Sequence, residues 1–246
     1  MAFSADADAA SRLIIDGNIH FHQGNFVRAI AAYTEAIRLF PSPAAYDARA
    51  KAYLQREELA LAIADCTEAI RLDPGFFLAF VTRAVAHFLS GDLDRAIADN
   101  TEAIRLNPEY AVAYRNRGRE YGQRGDYDLA IADYTAALRL DPDNADAHSD
   151  RGYAQAMIGK YDAALADCTE AIRLDPNLIV AYHNRALAYR ALGDEERAQA
   201  DLVTANRLSE AQQAWESSWR STALFWLLAL AGGCVLAYFL IAAGQR

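Results

Sequence analysis

The strongest constraint on this chain is a segment that it repeats. AAYTEAIRLFP ends at Pro41, IADCTEAIRLDP at Pro74, IADNTEAIRLNP at Pro108, IADYTAALRLDP at Pro142 and LADCTEAIRLDP at Pro176. Successive prolines lie 33, 34, 34 and 34 residues apart, and a degraded sixth copy, ADLVTANRLSE, ends near Glu210 without its proline. A fixed period of this length marks stacked supersecondary units, each with an apolar face that only a neighbour can cover. Every period holds two helical patterns and a turn. In the fourth copy the first pattern runs over 110–124 and the second over 127–140. Gly125 and Asp126 form the turn between them, with Asp126 placed to cap the second helix and Pro142 to stop it. Glycine-containing turns recur at Gly24, Gly91, Gly159 and Gly193. The second copy has Arg56-Glu57 instead, and its missing residue is expected to shorten that turn.

Small residues recur at fixed phases: Ala29, Ala62, Ala96, Ala130, Ala164 and Ala198, and again Ala36, Ala69, Ala103, Ala137, Ala171 and Ala205. They allow the two helices of a copy to approach closely. With Gly118 and Gly152 in first helices, Tyr127 and Tyr161 opening second helices, and the terminal proline, the unit resembles the tetratricopeptide repeat. The resemblance covers roughly residues 10–208; the family's early tryptophan is replaced by Phe80, Tyr114 or Tyr182. It implies an all-α fold: a right-handed helical-repeat solenoid of about six units, whose concave face is lined by the first helix of each pair. It also implies binding of proteins or peptides. Some members clamp chaperone tails with a lysine and asparagine set; here Asn18 is kept but Ile14 stands at the lysine's place.

Composition excludes other classes. The chain has 246 residues, is 53% hydrophobic and carries a net charge of -9, so it has no bulk attraction for nucleic acid. Three cysteines, Cys66, Cys168 and Cys234, form no metal-binding or disulfide pattern. His20, His22, His87, His148 and His183 are scattered, and the stretch from Asp141 to Asp146 lacks the glycine and glutamate of a calcium loop. Gly159-Lys160 joins two helices, not a strand and a helix, so it is no phosphate loop. Cys66 and Cys168 share the phase of Tyr33, Asn100 and Tyr134 and are expected to pack. Neither a cofactor nor catalysis is expected.

The C-terminus differs from the repeats. Residues 222–243 carry no charge, and a helix of that length spans about 30 Å, the thickness of a hydrocarbon core. Trp219, Trp226 and Tyr238 sit towards its ends. The expectation is one transmembrane helix acting as a tail anchor, with a three-residue tail at 244–246. No N-terminal signal is recognised, so the repeats are expected on the cytoplasmic side. Ala229, Gly233 and Ala237 form a stripe of small residues that would allow a homodimer through the bilayer. Residues 1–9 are expected to form a tail. Residues 209–221 are expected to form a separate capping helix, begun by Ser209, whose face of Leu208, Ala211 and Trp215 covers the last repeat.

Two charge patterns remain. Arg49, Arg83, Arg117, Arg151 and Arg185 recur at one phase, as do Asp65, Asp99, Asp133, Asp167 and Asp201. A charge present in every copy has a structural role, expected here to be ion pairing between repeats. Residues that differ between copies carry specificity. On the family's geometry the groove is lined near Asn18, Asp47, Lys51, Arg115, Asn116, Arg119, Tyr153, His183 and Arg190. Lys51, Arg115 and Arg119 would make a basic spot for an acidic or C-terminal carboxylate peptide. The expected function is a protein-binding scaffold at a membrane surface, or alternatively a permanent assembly subunit of a membrane complex.

Overall fold

The computed structural model describes residues 2–215, all of them in helices and short turns. Six helix pairs follow one another: α1 (Ala2–His22) with α2 (Phe26–Leu39), α3 (Pro43–Leu54) with α4 (Leu59–Leu72), and α5 (Phe77–Leu89) with α6 (Leu93–Leu106). Then come α7 (Ala111–Arg124) with α8 (Tyr127–Leu140), α9 (Ala145–Met157) with α10 (Tyr161–Leu174), and α11 (Ile179–Ala191) with α12 over 195–215. Each helix packs on its chain neighbours. Each first helix from α1 to α9 also touches the next first helix, whereas α2, α4, α6, α8 and α10 do not touch one another. The first helices therefore lie on the shorter, inner side of the curved stack.

Alanine makes this packing possible. Ala29, Ala62, Ala96, Ala130, Ala164 and Ala198 are completely buried, as are Ala45, Ala79, Ala113, Ala147 and Ala181 at the start of first helices. Glycine does the same where an aromatic ring needs the space: a Cβ on Gly118 would stand 2.8 Å from the Tyr134 ring.

The recurrent charges form a clamp. Arg49, Arg83, Arg117, Arg151 and Arg185 each donate two hydrogen bonds of 2.7–2.9 Å to the aspartate 16 residues later. Both partners belong to one helix pair, so the expected ion pairs between repeats are in fact within repeats. The link to the preceding repeat is a third bond from the same guanidinium, 3.0–3.3 Å to the hydroxyl of Thr34, Thr67, Thr101, Thr135 or Thr169. Four of these hydroxyls, on Thr34, Thr67, Thr101 and Thr135, donate in turn to the carbonyl one helical turn back. Four of the guanidinium groups also lie over aromatic rings, such as Arg117 over Tyr114 and Tyr121. At Arg151 the aromatic place is taken by His148, whose Nδ1 stands 3.1 Å from Asp167. The first repeat lacks arginine and aspartate together, with Asp16 and Ala32 in their places. The first repeat thus carries neither half of the clamp.

Several boundaries differ from expectation. Residues 2–9 continue α1 and are not a tail. Helix α12 runs through Ser209 without a break, so no separate capping helix begins there. Ala211 and Trp215 are exposed and cover nothing among the described residues. Asp126 caps no backbone amide; its carboxylate accepts from Arg124, while Asn25 and Asp92 do cap their helices. The missing residue of the second copy is absent from the link before it. Three residues, 40–42, join α2 to α3, whereas four join each later pair, as at 73–76. Ser42 and Pro43 start α3 so tightly that the shorter link suffices. The expected transmembrane helix, with Ala229, Gly233 and Ala237, lies outside the described residues, among which no helix is long and apolar enough to cross a membrane.

The Arg56-Glu57 turn keeps its full length, and Glu57 adopts the left-handed conformation (φ 60°) that glycine supplies in the other turns. A side chain there costs about 1 kcal/mol. Glu57→Gly should raise the stability of the stack by about that amount in urea denaturation; a loss of stability would show that the Glu57 side chain holds the turn.

Candidate functional site

Along the inner side, side-chain hydrogen bonds join successive first helices at a spacing of 35 residues. Thr82 donates to Asp47 at 2.6 Å, Arg115 to Asp150 at 3.2 Å and Asn184 to Ser149 at 3.0 Å. The same register between α5 and α7 would pair Val81 with Asn116, and valine has no polar group to offer. This rung is absent, and a cleft of about 100 Å³ opens beside it. Val85, Phe88 and Leu89 of α5 form its apolar wall, and Asn116, Arg119 and Glu120 of α7 the opposite one.

The structure separates the expected groove residues into two groups. Some are already engaged. Lys51 lies 2.7 Å from the buried Asp47. Arg115 bridges Asp146 and Asp150. Burial raises the Asp150 carboxyl above its ordinary range, and Arg115 works against that. Arg190 pairs with Glu195 at 3.2 Å. Asn18 accepts from the Tyr33 hydroxyl, and Ile14 packs against Tyr33. The basic spot of Lys51, Arg115 and Arg119 therefore does not form, because carboxylates meet two of its three charges.

The others are open. Arg119 is exposed, lies 5.4 Å from the Phe88 ring centre and has no ion-pair partner. Among the described first helices from α3 to α11 it is alone in this among lysines and arginines. Asn116 faces the same cleft with no side-chain partner. Tyr153 is exposed and packs edge-on against Tyr127, and His183 is exposed. The cleft residues Val85, Phe88, Leu89 and Glu120 were not anticipated. Their signal was Val81, an apolar residue in a row that is otherwise polar from the second repeat to the fifth.

Cys66 and Cys168 are buried, and burial pushes the Cys168 thiol up to about 12, far from a reactive thiolate. Among the described residues no group of side chains could hold a metal ion.

Models of the tetratricopeptide repeat match residues 16–76, 48–111, 115–179 and 168–200. The chain belongs to the tetratricopeptide repeat family. Over 77 residues it is 43% identical to the heat shock protein sti1 homolog of Schizosaccharomyces pombe, covering 31% of this chain and 13% of that protein. It is 38% identical over 78 residues to the serine/threonine-protein phosphatase T of Aspergillus oryzae, covering 31% of this chain and 16% of that one. The chain thus spans less than a fifth of these relatives, and the similarity concerns repeats alone. Among solved structures it resembles MamA (TM-score 0.61, 21% identity, 67% of this chain and 96% of that one). It also resembles YrrB, a TPR protein with an unusual peptide-binding site (TM-score 0.60, 22% identity, 72% and 92%). The Cut9–Hcn1 hetero-tetramer of APC/C gives TM-score 0.73 at 19% identity, over 82% of this chain and 40% of that one. At these identities the likeness shows the shared fold. Tetratricopeptide proteins act as protein interaction scaffolds.

The two neighbouring arginines of α7 should behave differently. Arg115→Ala leaves Asp150 without its partner and should cost about 1–2 kcal/mol in urea denaturation. Arg119→Ala should stay within about 0.5 kcal/mol. Equal losses would mean that Arg119 is also structural.

Proposed function

We propose that this tetratricopeptide protein is a non-catalytic scaffold that holds partner proteins on the inner side of its stack. The observation that carries the reading is Arg119, an unpaired guanidinium on the rim of an apolar cleft, beside the unpaired amide of Asn116. An apolar side chain with a carboxylate next to it fits this arrangement. The side chain enters between Val85, Phe88 and Leu89, and the carboxylate meets Arg119. YrrB, a TPR protein of similar fold, has a peptide-binding site, which supports this reading. The uncharged stretch 222–243 supports a second part of the proposal: a bilayer anchor with the repeats on the cytoplasmic side. Anchoring raises the effective concentration of whatever the scaffold binds. Ala229, Gly233 and Ala237 would let two such anchors pair.

A second reading, a permanent assembly subunit, draws on exposed apolar side chains of the second helices, Val27, Leu61, Leu129 and Val203. They would bury a wider outer surface in a complex.

Crosslinking in cells separates the two. The full chain and its Arg119→Glu variant are compared, with circular dichroism as the check on folding and membrane fractionation as the check on anchoring. Partners lost from the folded variant identify the cleft as the receptor. Partners kept in full by the variant rule out the cleft and favour the outer surface. Recovery of the full chain in the soluble fraction would end the anchor proposal.

A further inference from the structure

Asn100 and Glu120 break the repeat pattern at two positions that touch. Second helices place Tyr33, Cys66, Tyr134 and Cys168 where α6 has Asn100, and first helices place Ala52, Ala86, Ala154 and Ala188 where α7 has Glu120. At other junctions these positions meet in apolar contact, Tyr33 with Ala52, Cys66 with Ala86 and Tyr134 with Ala154. Between the third and fourth repeats the contact is instead a hydrogen bond, from Asn100 Nδ2 to Glu120 Oε1 at 2.6 Å. Asn100 is fully buried and Glu120 is 2% exposed. Glu120 Oε2 and Asn100 Oδ1 are both buried acceptors with no hydrogen-bond partner.

Two orphaned acceptors on one bonded pair lack a single donor. A proton on Glu120 Oε2 provides it. The acid then donates to Asn100 Oδ1 while Asn100 donates to Oε1, and both buried groups are satisfied. Loss of the proton leaves a buried carboxylate with one hydrogen bond, and leaves Asn100 Oδ1 facing it as an uncompensated acceptor.

We propose that Asn100 and Glu120 form a proton-gated joint between the third and fourth repeats, closed while Glu120 carries its proton and loosened when it loses it. Glu120 also lines the cleft between α5 and α7, so the joint regulates access to that site. This consequence rests on the cleft being the receptor; the gating itself does not.

The charged surroundings fit a neutral acid. The hydrogen bond from Asn100 favours the ionised form, as do Arg117 and Arg119 on the same helix, and Asp99 of α6 opposes it. Arg117 is committed to Asp133 of α8, and Asp99 to Arg83 of α5. His87 of α5 stands 3.9 Å from Asp99, and burial lowers its titration, which falls below that of Glu120. From α9, Asp150 is met by Arg115. Burial dominates and lifts the Glu120 carboxyl from 4.5 to about 8.

The closed joint therefore holds a proton that the opened one releases. Opening grows tenfold per pH unit between about 4.5 and about 8, and levels off above that.

Native-state hydrogen exchange on the full chain in detergent, corrected for the intrinsic pH dependence of amide exchange, tests this without any partner. From pH 6 to pH 8, opening across α6 and α7 should rise about fiftyfold in the wild type. It should stay flat in Glu120→Gln, whose amide makes both hydrogen bonds at every pH. Identical profiles in the two proteins, or an equal rise at the α2–α3 and α8–α9 junctions, would overturn the proposal. Should the variant not fold, the wild type decides alone. In carbon-13 spectra of glutamate carboxyls, one resonance titrating near 8 supports the joint, and all of them titrating below 6 removes it.

Discussion

The stack depends on one interaction that recurs five times: an arginine held by an aspartate of its own repeat and reaching a threonine of the repeat before. The pair is largely buried; the Arg117 and Asp133 side chains are 17% and 9% exposed. Such a pair is favourable only when most of its donors and acceptors are satisfied. Here two bonds go to the carboxylate, one goes to the threonine, and aromatic rings lie against the guanidinium plane in most copies. The Glu–Arg pairs within the repeated T-E-A-I-R-L segment, such as Glu102 with Arg105, are largely exposed and contribute little beyond helix propensity.

Because the clamp holds the second to sixth repeats alike and the alanine lattice recurs in all six, the inner row of first-helix positions can vary. Most of that variation is still used for cohesion, in the bonds of Asp47 with Thr82, Arg115 with Asp150 and Ser149 with Asn184. The junction between the third and fourth repeats departs from this in three respects. Val81 removes the inner bond, Arg119 is left without a carboxylate, and Asn100 with Glu120 replaces an apolar contact by a titratable one. The proposed receptor cleft and the proposed joint thus coincide at the place where the stack is least uniform.

Much of this was legible in the residues. The 34-residue spacing, the alanine phases and the glycine turns led directly to six stacked helix pairs, because each follows from local geometry. The clamp was half legible. Its arginines and aspartates stood out by recurrence, but their spacing of 16 closes a helix pair and not a junction. The recurrent threonine, which does make the junction, was passed over. Arg115 was misjudged as an open charge because its partner Asp150 lies 35 residues away, a distance set by the superhelical register and not by any local pattern. The displaced missing residue shows the same limit: proline spacing reveals a deletion, but only the backbone reveals which link is short. Asn100 and Glu120 could have been found by asking which phases are apolar in every copy but one.

The account is tested most directly by a double-mutant cycle on Arg117 and Asp133, with Arg117→Met and Asp133→Leu made singly and together and stability measured in urea. If the clamp holds the stack, each single change costs about 3 kcal/mol and the double change costs much less than their sum, a coupling of about 2 kcal/mol or more. Additive losses of a few tenths of a kcal/mol, as for an exposed ion pair, would contradict it.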